Sequence, residues 1–218
     1  MHAPTRYSRE MRILRQELLR MGGQVEEMLG AAIEALGSFD PKLARRALDM
    51  DKEVDRLEIE IDEHCLRILA LHQPAAADLR FVTASMKLVT DLERMGDLVG
   101  NVAEGVIALS REERLKPYVD LPQMAQQVQA MVKLALDAFV AQDVALAHRV
   151  LEADNDVDEL HWQIRRALVA RMGRDGAIVS RGLNLLLATK HLERLGDHAT
   201  NIAEKVIFMV QGQDIRHQ

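Results

Sequence analysis

The chain has 218 residues, 48% hydrophobic but only 3% aromatic, enough to bury an aliphatic core in one large or two small domains. Its 34 acidic residues outnumber 28 Lys and Arg residues, and the net charge of −6 argues against nucleic acid as a partner. No apolar run is long enough to span a bilayer and the first twenty residues lack a signal-peptide core, so we expect a cytoplasmic protein without direct membrane insertion.

Six helices are predicted in chain order, because apolar residues recur every three or four positions, as in Val54, Leu57 and Ile61. The predicted helices span residues 5–37, 41–71, 75–112, 119–140, 144–172 and 176–211. The breaks between them are marked by Asp40-Pro41, Gln73-Pro74, Pro117 with Pro122, Gln142-Asp143 and residues 173–176. Helices joined by such short loops pack antiparallel as bundles.

The sequence repeats itself. A shift of 103 residues superimposes residues 21–61 on residues 124–164 without a gap, with sixteen of the 41 positions identical. Farther on the offset falls to 100, where residues 92–97 match residues 192–197. The predicted fold is therefore all-α, a tandem repeat of two antiparallel three-helix bundles, with one repeat in residues 1–115 and the other in residues 116–218.

Acidic residues form rows beside the apolar stripes of the second and third predicted helices. At helical spacing Asp51, Asp55, Glu58 and Asp62 fall in one sector, and Glu93, Asp97, Asn101 and Glu104 share one face. Six of these positions have counterparts in the second repeat: Asp154, Asp158, Glu193, Asp197, Asn201 and Glu204. The two repeats differ at the remaining positions, because Glu58 becomes His161 and Asp62 becomes Arg165.

Stacked carboxylates repel one another, so such rows need a compensating cation. Hard carboxylate oxygens suit Mg, Ca, Mn or Fe, and bridging carboxylates can hold more than one ion. The alternative is that both rows are solvated surface of the bundles, as acidic rows usually are. Arg94 and Arg194 are open to two interpretations, as ion-pair partners of the acidic residues or as phosphate ligands.

Several other residues carry packing predictions. Gly96 and Gly196 are expected to let a neighbouring helix come close. Trp162 and the methionines are expected to fill the core and interfaces.

Four acidic motifs, each an acidic residue followed by three residues and Asp, carry a resemblance to the PhoU family: Asp51 to Asp55, Glu93 to Asp97, Asp154 to Asp158 and Glu193 to Asp197. Further carriers are the turn at residues 73–80, the segments 101–104 and 201–204, and the opening residues 2–7. The chain therefore resembles the PhoU family over nearly its whole length.

The resemblance implies regulation, not catalysis. PhoU proteins restrain phosphate uptake and phosphate-responsive signalling, between the ATPase of the phosphate ABC transporter and the phosphate sensor histidine kinase. They commonly form homodimers, and some members bind multinuclear iron or zinc on these motifs. By resemblance the metal ligands would be Asp51, Asp55, Glu93, Asp97, Asn101, Glu104, Asp154, Asp158, Glu193, Asp197, Asn201 and Glu204. This protein would lie at the cytoplasmic face of the membrane through its partners.

Two rival functions are a metal-independent helical adaptor and a di-metal carboxylate oxidase. The oxidase needs Glu-x-x-His on two helices. Only Asp158 with His161 approaches that spacing, once and with Asp in place of Glu.

Overall fold

The computed structural model of the chain describes residues 5–112, 120–213 and 215. These residues form six α-helices and no strand: α1 (Arg6–Ser38), α2 (Pro41–His72), α3 (Ala76–Leu109), α4 (Asp120–Ala141), α5 (Val144–Met172) and α6 (Val179–Gln211). A short 3-10 helix (Gly176–Ile178) leads into α6. The predicted all-α class and helix order are confirmed, with ends shifted by at most a few residues. Pro117 and the predicted boundary between residues 115 and 116 lie outside the described residues, so the division into two domains remains a prediction.

Equivalent turns join the first two helices of each repeat. Phe39 and Gln142 have left-handed backbone conformations with φ of 57° and 54°, and both follow the end of a helix. The next residue, Asp40 or Asp143, caps the following helix, because its carboxylate accepts a hydrogen bond from the backbone N–H of Lys42 or Ala145 at 2.8 Å. The breaks expected at these two turns are thus formed by the same local chemistry.

The two repeats pack along α3 and α6. Within the first repeat α1, α2 and α3 contact one another, and within the second α4, α5 and α6 do so. Between the repeats α3 packs antiparallel along α6, since Asp91 lies beside His198 and Arg80 Nε donates to the Met209 carbonyl at 3.1 Å. Because α1 also contacts α4, the buried apolar side chains of both repeats form one continuous core.

One sequence expectation needs correction. Trp162, expected to fill the core or an interface, is 51% exposed in the described structure, so it is not part of the core of this chain. Pro122 lies in the first turn of α4, inside the predicted helix 119–140, where proline is tolerated because the first N–H groups of a helix have no partner within it. Among the described helices, none is long and apolar enough to cross a membrane.

Candidate metal-binding carboxylate clusters

The first cluster joins acidic residues of α2 and α3. Its members are Asp51, Asp55 and Glu58 on α2 with Glu93 and Asp97 on α3. Burial raises the pKa of Asp51, and the charges of Asp55 and Asp97 raise it further. Burial likewise raises the pKa of Glu93, with Asp97 as the next contributor. The carboxylates predicted on separate helices therefore do lie close enough to repel one another.

A glycine brings the two helices of the first cluster together. A Cβ at position 96 would lie 2.8 Å from Asp51 Oδ1 and 3.3 Å from Val54 Cγ1, so only glycine leaves room for this carboxylate. Asp51 Oδ1 is buried and has no hydrogen-bond partner among the described residues. A buried carboxylate oxygen without a partner is costly, and it marks a place where a cation would be stabilising.

The second cluster repeats this arrangement on α5 and α6. It consists of Asp154, Asp158, Glu193 and Asp197. Burial raises the pKa of Asp154 to about 6, and the charges of Asp158, Asp197 and Glu193 act in the same direction. Burial, followed by the charge of Glu193, also raises the pKa of Asp197. Gly196 again lies against the carboxylate, with its missing Cβ 3.3 Å from Asp154 Oδ1.

Each cluster has a different basic neighbour. Arg94 pairs with both Glu93 and Asp97 at 3.3 Å, which supports the ion-pair interpretation of this arginine. In the second cluster the partner of Glu193 is Lys190 at 2.7 Å, and the described structure gives Arg194 no ion pair. For Asp51, Asp55, Asp154 and Asp158 the described residues contain no ion pair at all, so most of the negative charge is uncompensated.

The other predicted ligands lie farther along the helices. Asn101 and Glu104 are exposed on α3, one and two turns beyond Asp97. Asn201 and Glu204 line a cavity of about 320 Å³ between α3 and α6, opposite Thr83 and Lys87. The structure thus brings the acidic motifs together into two clusters. These four residues lie outside the clusters, and their role as metal ligands remains a prediction.

The donor chemistry of both clusters fits a hard or borderline cation, because each offers several carboxylate oxygens with little positive charge nearby. Within the described residues, however, no three His, Cys, Asp or Glu side chains stand in an arrangement that holds a metal ion. Side chains of a cluster would have to turn towards an ion to bind it. Metal binding therefore remains a prediction.

His161, which replaces Glu58 in the second repeat, is buried and its Nδ1 has no partner among the described residues. Its ring lies 6.2 Å from that of Trp162 in an edge-on arrangement. Arg165, which replaces Asp62, places its guanidinium 4.9 Å from the centre of the same indole. Both substituted residues therefore contact Trp162, and the second cluster is left with fewer carboxylates.

Sequence reasoning missed two groups of ionisable side chains that meet between helices, one around the buried His64 and one around the buried Asp91. His64 lies between α1 and α2 with Nδ1 2.6 Å from Glu17 Oε2 and Nε2 2.9 Å from Glu10 Oε2. Between the repeats, Asp91 contacts His198 Nδ1 at 3.0 Å and forms an ion pair with Lys205. In both groups each contact joins residues 47 to 114 positions apart in sequence, so no local signal identifies the pairing.

Comparison with known proteins places these features in a family. The family model described as "PhoU domain" matches residues 18–106 and 121–206, which is one match in each repeat. The chain belongs to the PhoU family. A PhoU homologue from Pseudomonas aeruginosa, named as a phosphate-specific transport system accessory protein, is 43% identical over 217 residues, covering 99% of this chain and 90% of the relative.

Solved structures agree with this membership in the PhoU family. The crystal structure of PhoU from Pseudomonas aeruginosa superimposes with a TM-score of 0.93 at 42% identity, covering 95% of this chain and all of that chain. The phosphate transport system regulatory protein PhoU from Streptococcus pneumoniae gives a TM-score of 0.86 at 27% identity, covering 96% of this chain and 99% of that one. The helical repeat is therefore the PhoU fold.

Proposed function

We propose that this protein is a negative regulator of phosphate uptake and of phosphate-responsive signalling. It would act between the ATPase of the phosphate ABC transporter and the sensor histidine kinase, held at the cytoplasmic face of the membrane by these partners. The observation that carries the proposal is that the PhoU match extends over both repeats, with a similar whole-length relative named as an accessory protein of phosphate transport. The role is regulatory and not enzymatic.

The carboxylate clusters would be the metal-binding part of this regulator. The first cluster would hold iron, zinc or another divalent ion through Asp51, Asp55, Glu93 and Asp97, and the second through Asp154, Asp158, Glu193 and Asp197. A bound cation would supply positive charge that cancels the repulsion between α2 and α3, or between α5 and α6. Two observations support this role: the partnerless Asp51 Oδ1 and the raised pKa of Asp154.

A di-metal oxidase is not supported by the site. Such an enzyme needs histidine ligands on two helices. His161 is the histidine nearest to that pattern in sequence, and its ring packs against Trp162. The metal-independent adaptor is the remaining alternative, and the response of the protein to added metal separates the two.

The regulatory role is tested by deleting the gene in its own host and measuring phosphate uptake and a phosphate-responsive transcriptional reporter in phosphate-rich medium. We expect both to rise, and to fall again when the chain is supplied in trans. Unchanged uptake and reporter output would contradict the proposal. Co-purification with the transporter ATPase and with the kinase, in high and low phosphate, tests the partners separately.

Metal binding is tested by thermal unfolding of chelator-treated protein with and without added iron, zinc or manganese. At a hundredfold excess of metal over its dissociation constant, stabilisation approaches about 2.7 kcal/mol, or roughly 5–10 °C. The double variant Asp55→Asn/Asp97→Asn should lose the part of this stabilisation that comes from the first cluster. The matched control Asp49→Asn/Asp156→Asn makes the same charge change at two exposed positions and should respond like the parent.

Equal metal responses in all three proteins, reproduced by sodium chloride, would favour the metal-independent adaptor. That result would leave the regulatory role standing, since the deletion experiment does not depend on metal.

A further inference from the structure

The cavity between α3 and α6 lies on the seam between the two repeats. Its volume of about 320 Å³ is at the lower end of the range for small-molecule sites. Two contacts join the helices on either side of it: Arg80 Nε donates to the Met209 carbonyl at 3.1 Å, and His198 Nδ1 lies 3.0 Å from Asp91 Oδ1. The lining residues come from 83–87 and 201–208, between these contacts in sequence, so packing of the repeats holds the cavity walls in place.

Two charges of opposite sign line this cavity without a partner in the described structure. Lys87 on α3 and Glu204 on α6 both belong to its wall, and neither forms an ion pair or a side-chain hydrogen bond with another described residue. The other lysine of the wall, Lys205, is occupied, because its Nζ pairs with Asp91 and donates to the Asn201 carbonyl at 3.1 Å. The cavity therefore offers one cation and one anion to a ligand.

The rest of the lining supplies hydrogen-bonding groups and an apolar wall. The side-chain amide of Asn201 has no hydrogen-bond partner within the described residues, so it can both donate and accept. The Thr83 hydroxyl donates to the Leu79 carbonyl at 2.9 Å, which leaves its oxygen able to accept. Ala84 and Phe208 add apolar surface. This combination suits a small molecule that carries both charges and an apolar part.

The two lysines of the cavity are specific to one end of the seam. At the offset of 100 residues that relates α3 to α6, Asn201 and Glu204 are kept as Asn101 and Glu104. The other positions change: Thr83, Lys87, Lys205 and Phe208 correspond to Leu183, Leu187, Gly105 and Ala108. Packing common to the two repeats therefore does not require the cavity lysines.

We propose that this cavity binds a small zwitterion, namely an α-amino acid with an apolar side chain. The carboxylate of the ligand pairs with Lys87, and its ammonium group pairs with Glu204 and donates to the side-chain oxygen of Asn201. The apolar side chain of the ligand contacts Ala84 and Phe208.

The charges of the cavity distinguish this ligand from two others. A free phosphate ion in the cavity would lie near the carboxylate of Glu204, and a divalent cation would lie near Lys87 and Lys205. Each of these ions would meet a like charge, whereas a zwitterion satisfies both signs. The same lysines oppose a metal-ligand role for Asn201 and Glu204.

The test is saturation-transfer difference NMR on the chelator-treated full chain, with each of the twenty L-amino acids in turn. For a ligand of about ten non-hydrogen atoms we expect a dissociation constant of roughly 1 mM or tighter. Lys87→Gln and Glu204→Gln should each weaken binding about tenfold or more while keeping the helical circular dichroism of the parent. The matched controls Lys42→Gln, at an exposed position of α2, and Glu104→Gln, at the other end of the seam, should bind like the parent.

Blocked forms of the amino acid that binds assign each charge to its partner. A methyl ester lacks the carboxylate and should bind the parent more weakly than the free amino acid, and Lys87→Gln should lose this preference. An N-acetyl derivative lacks the ammonium group, and Glu204→Gln should lose the preference of the parent for the free amino group. A residue that only shapes the cavity would weaken both forms alike, so a preserved preference would contradict its assignment.

Failure of all twenty amino acids to bind, or binding that both substitutions leave unchanged, would overturn the proposal. Inorganic phosphate that binds through Lys87 and is indifferent to Glu204→Gln would replace it with an anion site. Manganese that binds through Glu204 would replace it with a metal site. None of these outcomes bears on the proposed regulatory role, which is tested by deletion of the gene.

Discussion

The two carboxylate clusters show that burial and the number of neighbouring negative charges affect the pKa of a carboxylate to different extents. The first cluster has five carboxylates and the second has four, yet the larger pKa shift belongs to Asp154 in the second, where it reaches about 6. For both Asp51 and Asp154, burial is the leading cause and neighbouring carboxylates come second. Removal from water therefore perturbs these groups more than the count of negative neighbours does.

The repeats also differ in how their helices are held together. Only the first repeat has a histidine at the position of His64, where its ring joins two glutamates of α1. The equivalent residue in the second repeat is Ala167. A common hydrophobic pattern thus supports two repeats with different buried polar chemistry.

The largest expected effect is the loss of stability when a buried leucine is shortened in either repeat, and it tests whether the core of one repeat unfolds separately from the core of the other. Leu92 and Leu192 are equivalent and fully buried. Leu92→Ala and Leu192→Ala should each lower the free energy of unfolding by about 3 kcal/mol, because each leaves a cavity. Since the core is continuous, urea denaturation should show one transition in both variants. A separate early transition in either variant would mean that the repeats unfold independently.

The next effect comes from removing His64, the buried polar residue that the second repeat lacks. His64→Ala gives the first repeat the residue found in the second and leaves Glu10 and Glu17 without their common partner. We expect a loss of about 2 kcal/mol in the free energy of unfolding near neutral pH, measured by urea denaturation. A cycle with Glu17→Gln isolates the interaction, and additive losses would show that His64 acts only through packing.

A smaller effect concerns the pH dependence of the second cluster. The pKa of Asp154 is about 6 in the folded protein against an ordinary value of 3.8, so the folded state binds this proton more tightly than the unfolded state. That stabilisation is present at low pH and is lost as the pH rises from about 4 to about 6. In metal-free protein at pH 7, Asp154→Asn should therefore be more stable than the parent by about 1–2 kcal/mol, after allowance for solvent screening.

The difference in unfolding free energy between Asp154→Asn and the parent should shrink as the pH falls below 5. Asp51→Asn should change stability in the same direction, because burial and the charges of Asp55 and Asp97 also raise the pKa of Asp51. A difference that is independent of pH would contradict the assignment.

The smallest expected effect is the loss of stability when Arg94 or Arg194 is replaced, and it should differ between the two arginines. Arg94→Gln removes an ion-pair partner of Glu93 and Asp97, and should cost about 0.5–1 kcal/mol at low salt. Arg194→Gln should cost less, since the described structure gives Arg194 no ion pair. Thermal unfolding at low and high salt measures both, and a loss at Arg94 that persists in high salt would indicate packing of its stem instead.

Most of the fold could be read from the sequence because its signals are local. Apolar periodicity, the caps at Asp40 and Asp143 and the 103-residue repeat give the six helices and their order. The same periodicity places Asp51 beside Asp55 and Glu93 beside Asp97 on their helix faces. The close approach of the acidic row on α2 to the acidic row on α3 was predictable, because bundle helices joined by short loops must face one another.

Tertiary structure alone decided the rest. The burial that raises the pKa of Asp154, the pairing of His64 with two glutamates and the exposure of Trp162 all depend on which distant helix packs against which face. The sequence by itself determined where helices begin, end and carry charge, since those properties arise within a few turns of one chain segment. How much water reaches each charge is set by contacts between segments far apart in sequence, and no local pattern encodes it.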